Sequence, residues 1–501
     1  MKKTEIIETT TGKVQGILEE DLAVFKGIPY AEPPVGDLRF LEPVAKKPWE
    51  GVLDASDYGA CAYQGYTELE EWLGKPEPES EDCLFLNIWT PKIDENNPEE
   101  KKRPVLFWIH GGAFIIGCGK DPMYKGSSLA SRGDVVVVTI NYRLGSFGFL
   151  NIPNQIINVG SLDQITALKW VHDNIERFGG DPDNITIFGE SAGAYSVLSL
   201  CAMPAAKGLF NRVIAQSAPT IDPRVDKKST RKIFRKLGIK KPDLKDLKDI
   251  PAEKIIEAQN AVFESDPTNI LALRPYIDGE IWTKRPRDAF GDEDCKDLSL
   301  MIGTNKEEFK LFSNMEVLKK LLEGDPLKML VGFLGMAGIP ADKINSMIDT
   351  YKKAREGKES TEPIELFNAI VTDYAFRYAT TRLLEEFGKH SKDCYNYLFE
   401  WKSPAFDGDF GACHALEIPF VFGTLNEPTL REFVQGAPKD LSEKMMDAWI
   451  AFARTGNPNH ENLPEWKPYT EEKRATMVFA EECALDHALM DAERKAWEGI
   501  L

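Results

Sequence analysis

The chain has 501 residues, 43% apolar and 28% charged, a balance that fits a globular protein with a large core and excludes a fibrous or disordered one. A formal charge of −19 argues against the basic face that nucleic-acid binding needs. Eight scattered cysteines with no CxxC pair, and six histidines with no zinc-ligand spacing, exclude a disulfide scaffold and give no basis for a metal site.

In chain order, MKKTEIIETTTGKVQG opens with a pair of lysines but has no apolar stretch after them, so it is not a secretory signal. No run reaches the roughly 18 apolar residues that span a bilayer. The expectation is a cytoplasmic chain without a membrane anchor. Residues 12–40 alternate apolar and polar positions and break at prolines, which predicts short strands and turns. Residues 61–80, with EPEPES, predict an exposed acidic loop. PVLFWIHGG (104–112), DVVVVTINYR (134–143), ITIFGES (185–191), RVIAQSA (212–218), LSLMIGT (298–304) and CYNYLFEW (394–401) are short, nearly continuous apolar runs, the pattern of strands covered on both faces. Between them, residues 161–180 read as a helix with Ser161 as N-cap and Gly179 as stop. Alternating strands and helices predict an α/β fold, a mostly parallel central sheet flanked by helices. Residues 222–275 and 315–365 are Lys-, Glu- and Leu-rich and predict helical insertions. No repeat or low-complexity linker divides the chain, so residues 1–501 are read as one catalytic body.

Gly189-Glu190-Ser191-Ala192-Gly193 matches G-x-S-x-G. It follows the strand ITIF directly and precedes a helical pattern, and a tight strand-to-helix turn of this kind needs small flanking residues. The turn predicts an exposed serine hydroxyl at the sheet edge, above a helix N-terminus that favours developing negative charge. His110-Gly111-Gly112-Ala113-Phe114 ends the strand PVLFWI. An acyl-transfer intermediate needs fixed donors for its oxyanion, and backbone N–H groups reach it only where side chains stay clear. Gly112, Ala113 and Ala192 are the expected donors, and His110 is expected to support the loop.

With FKGIPYAEPPVGDLRF, SEDCLFLNIWTP, WIHGGAF, NYRLGSFGFL, GTNKEEF, HALEIPFVFG and WIAFARTGNPN in the same order, the chain resembles the type-B carboxylesterase and cholinesterase family, including bacterial para-nitrobenzyl esterases, over almost its whole length. The resemblance implies the α/β-hydrolase fold and hydrolysis of small-molecule carboxylic esters without a cofactor. In this fold the serine is followed by the acid and then the histidine. His414 follows the last long strand run and is similar to the family's histidine loop. His390 precedes that strand, His460 lies in a turn, and His487 is read into a polar terminal helix. Glu307 and Glu308 are adjacent acid candidates that residue chemistry cannot separate; the resemblance selects Glu308. Phe309 stands where the family often has glycine.

The resemblance further implies that Glu190 lines the site and supports the histidine, although any polar residue satisfies that position. Ser217, at a strand end, is a candidate hydrogen-bond partner behind the site. Arg39–Glu81 and Arg143–Asp163 resemble structural ion pairs of the family. Cys61 and Cys83 match its first disulfide loop, although a reducing compartment would leave them as thiols. Trp72 lies one residue from where cholinesterases place a choline-stacking ring, and it is read here as a loop residue over an apolar pocket. Phe114, Phe147 and Phe149 are candidate walls of a site for short to medium acyl or aryl esters, or equally core. The rival readings are a non-catalytic binding protein on the same fold, which the retained serine disfavours, and an amide, carbamate or thioester hydrolase with the same triad. Oligomeric state is not readable.

Overall fold

The continuous apolar runs form the middle of one large sheet. The structure is a computed structural model that describes residues 2–500 apart from 66, 69–75, 93–101, 154, 156, 157, 222, 225, 241, 266–270, 292–294 and 392. Among the described residues the strands are β1 (Lys3–Glu8), β2 (Lys13–Glu19), β3 (Leu22–Pro29), β4 (Val52–Asp54), β5 (Phe85–Pro91), β6 (Arg103–Ile109), β7 (Val136–Ile140), β8 (Gly180–Glu190), β9 (Arg212–Gln216), β10 (Ser299–Asn305), β11 (Cys394–Phe399), β12 (Ala475–Phe479) and β13 (Ala484–His487). Their order across the sheet is β1-β2-β3-β5-β7-β6-β8-β9-β10-β11-β12-β13, with β4 beside β2. Strands β7, β6, β8, β9, β10, β11 and β12 are mutually parallel. Antiparallel pairs close both edges. This is the mixed, centrally parallel sheet of an α/β hydrolase.

Strand periodicity divides the core between two faces. Val105, Phe107 and Ile109 of β6 join one buried cluster, with Val138 and Ile187. Leu106 and Trp108 join another on the opposite face, with Val137 and Phe188. Helix Val159–Asn174 covers the first face through Ile165, Leu168 and Val171, and helix Lys439–Thr455 covers the second through Met445, Trp449 and Phe452. Burial of each such side chain contributes roughly 1.5–3 kcal/mol. This explains why the strands read as unbroken apolar runs. Between β9 and β10 lie helices Lys227–Lys236 and Ala252–Glu264. Between β10 and β11, helices Glu316–Leu322, Pro326–Met336, Ala341–Arg355 and Pro363–Thr372 build their own core with Trp497. Among the described residues no helix is long and apolar enough to cross a membrane.

Several local expectations change. The first long helix starts at Val159, one turn earlier than Ser161 suggested, because Asn158 takes a left-handed conformation and its side chain pins Tyr276. Gly179 does end that segment, at φ 80°. His487 ends a strand rather than lying in a helix. In the segment read as an exposed loop, Cys61, Ala62 and Gln64 are buried; Trp72 lies outside the described residues. Cys61 pairs with Cys118, not Cys83. The reason is Asn141: its amide donates to the Ala60 carbonyl at 2.9 Å and accepts from Gly119 N–H at 2.8 Å, fastening the two cysteine segments together with a Cα separation of 5.6 Å. Cys83 stays a buried thiol in the core. Phe114 and Phe149 pack edge to face in the core and Phe147 stacks on Phe40, so all three are core residues. Arg143 meets Asp163 through two side-chain bonds of 2.8 and 2.6 Å, fully buried, while Arg39 bonds Glu81 and the carbonyls of Leu247, Lys248 and Ile250.

Candidate active site

The candidate residues stand at or beyond the carboxyl ends of the parallel strands, where α/β sheets place their sites. Ser191 comes straight after β8 and opens helix Ala192–Leu200 at φ 55°, ψ −120°. Such backbone costs on the order of 1–3 kcal/mol and persists only where the surroundings impose it. Here Ser191 N–H donates to the Gln216 carbonyl at 2.9 Å. A Cβ on Gly193 would lie 2.0 Å from the Ile109 carbonyl oxygen, and one on Gly189 2.6 Å from the same atom. Only glycine fits at either flank, which is the physical content of the G-x-S-x-G pattern.

The loop after β6 lies against this turn. A Cβ on Gly111 would be 3.2 Å from Ser191 Cβ and 2.8 Å from the Glu190 carbonyl. Gly112, Ala113 and Phe114 all have positive φ, at 101°, 53° and 64°. The turn is held by Ile115 and Ile116 N–H donating to the Gly112 carbonyl, and by Gly145 N–H donating to that of Phe114. Among the described residues, the N–H groups of Gly112, Ala113 and Ala192 have no acceptor. His110 is buried, stacks on Tyr142, and contacts the Gly111 carbonyl through Nδ1 at 2.8 Å. Burial pushes it down to about 4, so it is a neutral support of the loop.

His414 and Glu308 meet from two loops. Glu308 follows β10, His414 follows β11, and His414 Nδ1 lies 2.7 Å from Glu308 Oε2. Phe312 and Phe376 rings flank the imidazole at 5.2 and 4.9 Å. Its other nitrogen, Nε2, is 3.0 Å from Glu190 Oε1, on the residue immediately before Ser191, without hydrogen-bond alignment. No hydrogen bond joins Ser191 Oγ to His414 among the described residues, a spacing that commonly tightens only with substrate present. Burial disfavours the imidazolium, but the carboxylates of Glu190, Glu308 and Glu417 outweigh it and raise His414 to about 9. Burial pushes Glu190 well above the usual carboxylate range, with His414 opposing. Ser217 N–H donates to the Gly303 carbonyl, and its buried hydroxyl has no partner among the described residues.

A layer of polar residues behind the site escaped sequence reasoning. Asn305 N–H donates to Glu308 Oε1 at 2.7 Å. The Asn305 amide donates to Glu417 Oε2 at 2.6 Å, Gln216 donates to Glu417 Oε1 at 3.1 Å, and Trp449 donates to Gln216 at 2.9 Å. The usable signal was polarity at strand ends: Gln216 and Asn305 close β9 and β10, and Glu417 falls three residues after His414, just ahead of helix Ile418–Phe422.

A sequence profile of the carboxylesterase family matches residues 3–497. The chain is 37% identical to the para-nitrobenzyl esterase of Bacillus subtilis (strain 168), covering 96% of each chain, and 35% identical to the phenmedipham hydrolase of Pseudarthrobacter oxydans, again over 96% of each. Among solved structures it is similar to a PNB esterase, with a TM-score of 0.84 and 34% identity over 98% of this chain and 99% of that one. It is also similar to a carboxylesterase of Geobacillus stearothermophilus, with a TM-score of 0.82 and 36% identity over 99% and 100%. The strand-end serine turn, the histidine with its carboxylate and these whole-length likenesses agree: the chain belongs to the carboxylesterase family and is a carboxylic-ester hydrolase.

Proposed function

We propose that Ser191 is the nucleophile, His414 the general base and Glu308 the carboxylate that orients it, within a single catalytic body spanning residues 1–501. The observation that carries this reading is the 2.7 Å contact from Glu308 to His414 Nδ1, which leaves Nε2 turned to the segment that bears Ser191. Glu308 fixes the tautomer with the proton on Nδ1 and stabilises the imidazolium that forms. Neutral Nε2 takes the Ser191 proton as Oγ attacks the ester carbonyl. The unpartnered N–H groups of Gly112, Ala113 and Ala192 receive the oxyanion. His414 then protonates the leaving alcohol, leaving an acyl-Ser191 ester, and activates the water that releases the acid. Glu190 supports the imidazole from the opposite side, and Ser217, just past the end of β9, is assigned a supporting polar role.

The substrates are small-molecule esters with short to medium acyl or aryl parts. The relative named para-nitrobenzyl esterase supports an aromatic alcohol portion. The location proposed is cytoplasmic, whereas the Cys61–Cys118 disulfide favours an oxidising one. Hydrolysis of p-nitrophenyl acetate and butyrate tests the chemistry. Ser191→Ala is expected to lose about 10⁶-fold in kcat, and a fluorophosphonate adduct should map to Ser191. Retained activity in that variant, or an adduct elsewhere, removes the assignment.

A further inference from the structure

Both adjacent glutamates of the loop after β10 touch the histidine loop, at different places. Glu308 reaches the imidazole. Glu307 turns the other way: its Oε2 accepts from Ala412 N–H at 3.0 Å, and its own N–H donates to the Ala412 carbonyl at 2.9 Å. Ala412 is two residues before His414. Its neighbour Gly411 has φ 51°, and a Cβ there would lie 2.3 Å from Glu307 Oε2, so the chain makes room for this carboxylate by having no side chain. On the far side, Lys310 Nζ is 3.0 Å and Lys402 Nζ 3.4 Å from the carboxylate, and Lys310 also reaches Glu365 of helix Pro363–Thr372 at 3.1 Å. Glu307 is nearly buried. Burial works against its charge, but Lys310, the Ala412 N–H and Lys402 outweigh it and hold the group below the usual carboxylate range.

We propose that Glu307 is a positioning residue for ester hydrolysis: it clamps the histidine loop at Ala412 and so sets where His414 stands relative to Glu308 and Ser191. The inference rests on the reading of His414 as general base. A carboxylate accepting from a backbone N–H forms a charge-assisted bond, about twice as strong as a neutral one. The reverse bond from Glu307 N–H makes the tie two-sided. His414 N–H donates to the Glu308 carbonyl at 3.3 Å, so the two loops run side by side from Ala412 to His414. Loss of the clamp frees the loop just ahead of the base, and a displacement near 1 Å can cost on the order of 100-fold in rate.

The test compares Glu307→Ala, Glu307→Gln and Gly411→Ala. Glu307→Ala is expected to lower kcat for p-nitrophenyl butyrate by about 10- to 100-fold, leaving KM within about twofold, since no substrate group is touched. Glu307→Gln loses the lysine pairing but keeps an oxygen for Ala412 N–H, and is expected to recover most of kcat while melting as low as Glu307→Ala. Gly411→Ala keeps both lysines and pushes the carboxylate aside; it should resemble Glu307→Ala in kcat. Hydrogen exchange at the Ala412 amide reads the clamp without turnover: it should quicken in Glu307→Ala and Gly411→Ala and stay slow in Glu307→Gln. Near-normal kcat in the alanine variants, a glutamine variant as slow as alanine, or unchanged Ala412 exchange overturns the proposal. An active Ser191→Ala enzyme would instead defeat the triad reading, leaving the exchange result to judge the clamp alone.

Discussion

Replacing Glu190 by Gln should make the enzyme's pH dependence move in a direction that only electrostatics explains. Glu190 Oε1 is 3.0 Å from His414 Nε2, closer than any other charge on that side of the ring. A carboxylate at this range stabilises the imidazolium by enough to raise a histidine about 1–3 pH units, each worth about 1.4 kcal/mol. Glu308 and Glu417 add to it, and burial of the imidazole opposes all three. With His414 raised to about 9, the imidazolium is the major form at pH 7 and the neutral base the minor one. The base is active when unprotonated, so kcat/KM rises with pH through the His414 value. Burial favours the protonated form of Glu190, so its charge is held only opposite the imidazolium; Glu190→Gln removes that charge while keeping shape, the imidazolium loses support, and the rising limb shifts to lower pH, by at most about 1–3 units. The variant should therefore compare best with the wild type near pH 7 and worst near pH 10, where both bases are neutral and only lost support of the transition state remains. The assay is kcat/KM for p-nitrophenyl butyrate from pH 6 to 10, corrected for spontaneous hydrolysis. Because Glu190 and His414 are this close, their protons leave as a pair in the wild type, and the variant should show a single step. A wild-type limb at or below 6.5, or a limb that stays put or rises in Glu190→Gln, would refute the reasoning.

Two further expectations concern the frame around the site. Thiol titration of the unfolded, unreduced protein should give six free groups and, after reduction, eight, because only Cys61 and Cys118 are joined among the eight cysteines; eight before reduction would refute the pairing. That link closes a separation of 57 residues, for which chain entropy predicts about 4 kcal/mol of stability lost in Cys118→Ser, read as a lower denaturation midpoint under non-reducing conditions. Asp163→Ala leaves Arg143 buried without its carboxylate, and halving such a pair costs about 3–5 kcal/mol; urea unfolding within about 0.5 kcal/mol of wild type would show that the pair contributes nothing there.

What was legible in the chain depended on how local its cause is. The parallel strands were readable because both faces of β6 and β7 are covered, and that forces unbroken valine, isoleucine and phenylalanine runs. The serine turn was readable because its glycines answer a clash with atoms only a few residues or one strand away. The Cys61–Cys118 link was not, since it depends on Asn141 drawing together two loops far apart in sequence, and spacing carries no trace of that. Phe114, Phe147 and Phe149 were likewise ambiguous: an aromatic beside a glycine loop has the same composition whether it faces a substrate or packs on Tyr195 and Phe40. The polar layer of Gln216, Asn305 and Glu417 illustrates the intermediate case. Each is a buried polar residue whose identity is dictated by a partner on another strand or loop, so the position looks unremarkable alone and becomes necessary only in the network. Glu307 and Glu308 show the limit most sharply. Two identical side chains stand side by side, and no propensity or periodicity distinguishes them. The different jobs follow from the loop turning one carboxylate toward His414 and the other toward Ala412. Residue type sets what a group can do; the loop's path, imposed by β10, β11 and the lysines behind them, sets which group does it.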